Sequence, residues 1–167
     1  MTRAFRVLLV LTAAAVVFVV QSSQGLPAVV ASHFVAGGTP DAFMSRAGYT
    51  VFMAVLTLGL PLLFPLVLQL ASRLPPSMLN LPHRDYWLAP ERKAATFQYL
   101  VGHGTVFGGL LLVFVCLVHW QVVQANAAQP PRLAEAPFLV ALAAFILCTL
   151  AWLGVFFLHF RRRPAPG

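Results

Sequence analysis

Four long apolar runs dominate the chain, separated by short polar or proline-rich stretches. Val7–Val20 is almost wholly apolar and extends towards Gly25. The second run covers Tyr49–Leu70, the third about Gln98 to Trp120, and the fourth about Pro137 to Phe160. A helix needs about 20 mostly apolar residues, rising roughly 1.5 Å each, to cross a hydrocarbon core about 30 Å thick. All four runs meet that requirement. None alternates in polarity over the roughly ten residues that a barrel strand needs. The pattern predicts an all-α membrane protein: a four-transmembrane-helix bundle forming a single integral membrane domain over 1–167. Its spans are about 5–25, 49–70, 98–120 and 137–160, with an outer motif loop at 26–48 and an inner loop at 71–97.

The outer loop is partly extended. Val29–Phe34 is β-branched and apolar, which predicts a strand-like segment, and Gly37-Gly38-Thr39-Pro40 reads as a turn. Asp41 or Ser45 is placed to cap the helix that follows. So apolar a loop is expected to pack over the bundle mouth, with Phe34 inward and His33 towards solvent or Asp41. In the inner loop, Pro75-Pro76 ends the second helix, and Pro90-Glu91 opens a helix that runs into the third span. Tyr86 and Trp87 are expected as interfacial anchors, with Arg84, Arg92 and Lys93 facing anionic headgroups. Gly104 and Gly108 give the third helix a small-residue face; Ala141, Ala144, Cys148 and Ala151 do the same for the fourth. The simplest closure of the bundle sets these two faces together. Pro61 and Pro65 should bend the second helix.

Composition agrees with a membrane class. Of 167 residues, 60% are hydrophobic and 9% charged, against roughly 45–50% and 25% in soluble domains. This excludes an ordinary cytosolic globule and a disordered chain. The net charge of +7 does not imply nucleic-acid binding, because basic residues sit at the ends of apolar runs and do not cluster on one surface. They instead set direction. With the N-terminus inside, Arg3, Arg6, Arg73, Arg84, Arg92, Lys93, Arg161, Arg162 and Arg163 face the cytoplasm, and Arg46 and Arg132 face outward. That bias predicts cytoplasmic termini in a bacterial inner membrane. Arg3 and Arg6 before the first run also suit a signal peptide, but Gln21–Gly25 is a poor cleavage site, so retention as an anchor is expected. Cys116 and Cys148 should not pair: their depths differ by about 10 Å, beyond the roughly 7 Å disulfide limit.

Candidate chemistry is sparse. His33 and Asp41, eight residues apart across the turn, can approach each other and, with His119 at the outer end of the third span, make a partial metal site; the plainer alternative is a carbonyl-bonded His33 and a turn-capping Asp41. His103, one turn after Tyr99, is an ionisable residue inside a span. Its only candidate haem partner in a spanning helix on that side would be His159, which at the end of its span is about 8 Å too shallow. All four acids, Asp41, Asp85, Glu91 and Glu135, lie in loops, which leaves a proton-coupled transport cycle without support. Ser32 beside His33 cannot build a nucleophilic triad, and an intramembrane enzyme is disfavoured. No cofactor is implied.

Leu26-Pro27, Ser32-His33-Phe34 and Gly38-Thr39-Pro40-Asp41 resemble the "LP…P-x-HF…G-x-PD" pattern of a domain of unknown function found at the N-terminus of SdpI-type bacterial membrane proteins. Some of those proteins are immunity factors against secreted toxins. Leu81-Pro82-His83-Arg84-Asp85-Tyr86-Trp87 is similar to an "NLPN(K/R)xYW" stretch of stand-alone members. Ala31, Val35 and Phe43 stand where the family usually has proline, asparagine and tryptophan, and the SdpI-type second half has no counterpart among these spans. The resemblance therefore implies a fold and a compartment more than a task. It places ligand or partner binding on His33, Phe34, Gly38, Pro40 and Asp41, with an inner-loop motif of Pro82, Arg84, Asp85, Tyr86 and Trp87. The reading is a non-enzymatic membrane protein that binds a membrane-protein or peptide partner at its outer loop, in an immunity- or accessory-type role. The alternatives are a metal-dependent enzyme or factor using His33, Asp41 and His119, and a structural subunit of a membrane complex.

Overall fold

A computed structural model of the chain describes residues 2–161. The elements run α1 (Arg3–Ser23), β1 (Val29–Phe34), β2 (Pro40–Ser45), α2 (Arg46–Ala71), a 3₁₀ turn at Pro76–Met78, α3 (Arg84–Trp87), α4 (Pro90–Ala127) and α5 (Glu135–Arg161). Four helices, α1, α2, α4 and α5, are long and apolar enough to cross a membrane. The molecule is thus a multi-pass helical membrane protein with one small antiparallel hairpin, β1–β2. The hairpin marks one end of the bundle. The opposite end carries Arg3, Arg6, Arg73, Arg84, Arg92 and Lys93 and is called the basic end below; Arg162 and Arg163 lie outside the described residues.

The strand at Val29–Phe34 forms as the β-branched run predicts, and Pro40–Ser45 turns out to be its partner. Ser45 is the true helix cap, its hydroxyl accepting from Gly48 N at 3.1 Å. Asp41 belongs to β2 and does not cap the helix. The largest departure in length is α4. Its 38 residues span about 57 Å, far more than the expected 98–120. Glu91–Lys93 and Gln121–Asn126 break the apolar run without breaking the helix. Beyond the apolar stretch α4 still finds partners: Phe97 and Leu100 pack under Leu88 and Phe160, and Val122 packs with Leu26 and Val30 of the hairpin end.

The small-residue faces do not meet. Gly104 and Gly108 lie against α2, where an added Cβ would run into Leu68 at the first position and Pro61 and Leu8 at the second. Pro65 has no N–H, so the carbonyl of Pro61 four residues earlier loses its helical donor. Gly108 faces that carbonyl with only a hydrogen, which permits close approach and a weak Cα–H···O contact. The prolines therefore do more than bend α2: they make a surface that only a glycine can meet. On α5, Ala144, Cys148 and Ala151 are exposed. This helix docks on α4 through rings instead: Phe145 on Phe114 (centroids 4.4 Å apart), Trp152 on His103 (4.5 Å) and on Phe107 (4.6 Å), and His159 on Tyr99 (3.7 Å). Aromatic faces bury more area and gain edge and stacking attraction that alanines lack. Phe138, Phe145, Trp152 and His159 recur every seven residues along one face of the helix. Cys116 and Cys148 are both free.

Candidate functional site

The hairpin is irregular in a way that serves its side chains. Val29↔Ser45, Val30↔Met44 and Ala31↔Phe43 pair in register, then His33↔Ala42 and Phe34↔Pro40. Ser32 is an extra residue on β1 and Asp41 on β2, so the two bulges cancel and the register is recovered. Val30 and Ala31 are buried, His33 is exposed and Phe34 half-buried on the core formed by Val19, Leu26, Tyr49, Met53 and Val115. The expected opposition of Phe34 and His33 is present. His33 Nδ1 lies 2.6 Å from Asp41 Oδ1, with the imidazole 68% exposed. The carboxylate takes the Nδ1–H, which fixes the ring and leaves Nε2 directed away from its own partner.

The turn explains its glycines. Gly38 N donates to Val35 O at 3.0 Å, and Gly37 at the third position has φ +87°, the sign that a type II turn requires. Gly38 has φ +71° and its backbone is pressed against Leu133, leaving no room for a side chain. Leu133 N donates to Gly38 O at 2.9 Å, Arg132 Nε to Gly37 O at 3.2 Å, and Gly37 N to the Glu135 carboxylate. The α4–α5 connection thus bolts the turn in place. Half-buried Pro40 opens β2.

Asn126 near the end of α4 holds the free edge of β1. Its Oδ1 accepts from Ala31 N at 2.8 Å, while its Nδ2 donates to Ala31 O at 2.9 Å and to Val122 O at 2.9 Å. All three polar contacts of the amide are used, and the edge of a two-stranded sheet loses two of its orphan groups. Arg46 is equally occupied: its Nη1 donates to Gln24 O (3.2 Å) and Leu26 O (3.1 Å), just past the C-terminal end of α1.

His119 does not join His33 and Asp41. It is fully buried between α1, α2 and α4, with Nε2 2.8 Å from Ser22 Oγ and Nδ1 3.0 Å from Tyr49 OH. Ser22 Oγ itself lies 2.6 Å from Phe18 O and must donate there, so it accepts from Nε2–H, and Nδ1 accepts from Tyr49. A ring protonated at Nε2 cannot take a proton from Ser22. The array looks like a Ser–His triad and is instead an interhelical clasp, capped by the Tyr49 ring stacked at 5.7 Å and Phe18 edge-on at 5.6 Å. The metal set of His33, Asp41 and His119 is thereby corrected: among the described residues no group of three or more His, Cys, Asp and Glu side chains can hold a metal ion. His103 and His159 do not face each other either, because Tyr99 stacks between them.

A cavity of about 400 Å³ opens beside β1. Phe34, Val118, Val122, Leu133, Phe138 and Leu139 give it apolar walls, and Ser32, His33 and Glu135 supply its polar groups. Val35 in its lining is exposed, as are Val29 and Phe43 elsewhere on the hairpin. At the basic end the inner-loop motif packs tightly. Arg84–Trp87 is a single turn, Pro82 and Asp85 are exposed, and Arg84 reaches Ser77 O at 3.4 Å. Tyr86 lies under Arg92 at 4.1 Å, and Trp87 donates to Phe160 O at 3.3 Å. Trp87 thus joins the loop to α5.

Residues 7–58 match the model of a family described as a domain of unknown function, DUF1648. The matched stretch holds α1, the hairpin and the first half of α2, and so includes His33, Phe34, Gly38, Pro40 and Asp41. The inner-loop motif lies beyond it. No curated protein and no solved structure is found to match the chain.

Proposed function

We propose that this protein recognises a membrane-protein or peptide partner at its hairpin end, in an immunity- or accessory-type role without catalysis. The observation that carries the reading is the cavity beside β1, with the Asp41-held His33 and exposed Val35 among its lining residues, on a hairpin that also exposes Val29 and Phe43. An apolar side chain of a partner would fill the cavity, and His33 Nε2 would accept a hydrogen bond from a neighbouring N–H or O–H of that partner. The resemblance of the His33–Asp41 segment to the SdpI-type N-terminal domain supports the same end of the molecule. The concentration of Arg and Lys at the opposite end supports an outward-facing hairpin in a bacterial inner membrane, with both termini inside.

One variant tests both parts. Phe43→Cys, in a background with Cys116 and Cys148 replaced by alanine, is treated in intact cells with a membrane-impermeant benzophenone maleimide. Labelling without permeabilisation is expected, followed on illumination by one discrete protein or peptide adduct that His33→Ala abolishes while the thermal midpoint in detergent stays unchanged. Labelling only after permeabilisation would overturn the orientation. An adduct pattern indifferent to His33→Ala would overturn the recognition site.

A further inference from the structure

A second groove lies at the other end and does not rest on the reading above. It has a volume of about 890 Å³ and runs between the start of α1, the end of α2 and the start of α4. Its lining is graded in the same direction on all three helices. Towards the basic end stand Thr2 on α1, Gln69 and Ser72 at the end of α2, and Lys93 on α4. Deeper in, the walls are Phe5 on α1, Pro65 and Leu66 on α2, and Phe97 and Val101 on α4. From Pro90 to Val101 the groove follows α4 for about 16 Å, close to half of a hydrocarbon core about 30 Å thick. The groove is therefore about as long as one leaflet is thick, more polar at its open end and mostly apolar further along.

Among the described residues, the charge around the mouth has a positive excess. Lys93 is the charged residue of the lining, and its ammonium is pinned there by the carbonyl of Leu74 at 3.2 Å, with two further N–H groups to offer. Arg3 and Arg6 flank Phe5 in the sequence. The two carboxylates of this end, Asp85 and Glu91, are each taken by an arginine, Arg84 at 3.6 Å and Arg92 at 3.2 Å. We propose that the groove is a site for one anionic phospholipid, its phosphate at Lys93 with Gln69 and Ser72 within the same rim, and an acyl chain along Phe5, Leu66 and Val101. A zwitterionic lipid would bring a second, positive group to a mouth that already carries positive charge. This makes the anionic headgroup the favoured occupant.

Native mass spectrometry of the full chain in detergent micelles tests this, with phosphatidylglycerol or phosphatidylcholine of identical acyl chains added. One phosphatidylglycerol per chain should be retained, at least about five-fold more tightly than phosphatidylcholine, the factor that one basic residue near an anionic surface supplies. Lys93→Gln should lower phosphatidylglycerol retention by about that factor and leave phosphatidylcholine unchanged. Ala94→Trp, which fills the groove from an exposed lining position, should remove both lipids. Arg84→Gln, at the same end but outside the lining, should change neither. The two groove variants act on different atoms, and whichever keeps its thermal midpoint decides. Equal retention of the two lipids by the wild type would overturn the proposal, as would retention untouched by a folded groove variant or an Arg84→Gln loss equal to that of Lys93→Gln. Displacement of the lipid by inorganic phosphate, or a lipid-free dimer, would reassign the groove to a free anion or a second copy and equally overturn it.

Discussion

Replacing Asn126 tests whether the hairpin is held as a rigid platform. Ala31 is 1% exposed and belongs to the residues of β1 whose N–H and C=O point away from β2. Asn126 alone meets both groups, at 2.8 and 2.9 Å. Asn126→Ala strands them, and each buried polar group left unmade costs about 1–3 kcal/mol, so the variant should lose about 2–5 kcal/mol. Asn126→Asp keeps the acceptor for Ala31 N–H but sets a carboxylate oxygen against Ala31 O. It should do no better than alanine, although it is nearly isosteric. Gln124→Ala, exposed and two residues away on the same helix, should stay within about 0.5 kcal/mol. Chemical unfolding in detergent micelles measures the losses, and amide hydrogen exchange reports locally: the Ala31 amide should lose protection in Asn126→Ala and keep it in Gln124→Ala. An Asn126→Ala protein as stable as the wild type, with the Ala31 amide still protected, would refute the assignment of Asn126 as the edge partner of β1.

Two further substitutions probe the packing between helices. Gly108→Val should destabilise by about 3 kcal/mol or more, because even a Cβ there collides with Pro61 and comes within 3.0 Å of Leu8, whereas Gly109→Ala, next to open space, should be neutral or gain up to about 1 kcal/mol; a thermal midpoint series in one detergent separates them, and equal losses at both positions would remove the α2–α4 contact from consideration. His119→Phe keeps the ring volume but leaves Tyr49 OH and Ser22 Oγ without the imidazole, at about 1–3 kcal/mol. Combined with Tyr49→Phe it should cost less than the sum of the single changes by about 1 kcal/mol, and strict additivity would show that the clasp is not formed.

Periodicity and length made the spans legible, because a bilayer demands long apolar helices and little else competes for such sequences. The strand at Val29–Phe34 was equally plain from its β-branched run. What remained hidden depends on contacts between distant positions. Pro40–Ser45 contains an acid, a proline and a serine, and pairs only because β1 is already there. The extension of α4 past Trp120 follows from partners that hydropathy does not see. His119 and Asn126, seven apart on α4, do carry a signal: Leu112, His119 and Asn126 share one helix face, and a polar residue on an otherwise packed face needs a partner. The heptad of rings on α5 was also there to be read, but the alanines beside it suggested the more familiar small-residue packing. His33 and Asp41 were found from spacing across a Gly-Gly turn, which short loops make reliable. Adding His119 failed because depth along a helix does not say which face a side chain occupies.

The way the hairpin is held bears on what it can do. Five hydrogen bonds tie it to the helices: two from Asn126, and three at the turn through Leu133, Arg132 and Glu135. At about 1 kcal/mol net each, releasing the hairpin as a unit costs about 5 kcal/mol, before any loss of the packing of Val30 and Phe34. At that cost only about one molecule in several thousand is open at any moment. A gate needs a minor state populated well above this, whereas a recognition surface gains from being fixed, since little ordering entropy is then lost on binding. The groups that hold the hairpin, Ala31, Gly37 and Gly38, face the helices. His33, Phe43 and Val29 take no part in holding it and are exposed, which is what the proposed recognition role needs. A loop that served only to close the bundle would have no reason to keep an oriented imidazole and an exposed phenylalanine on its free side.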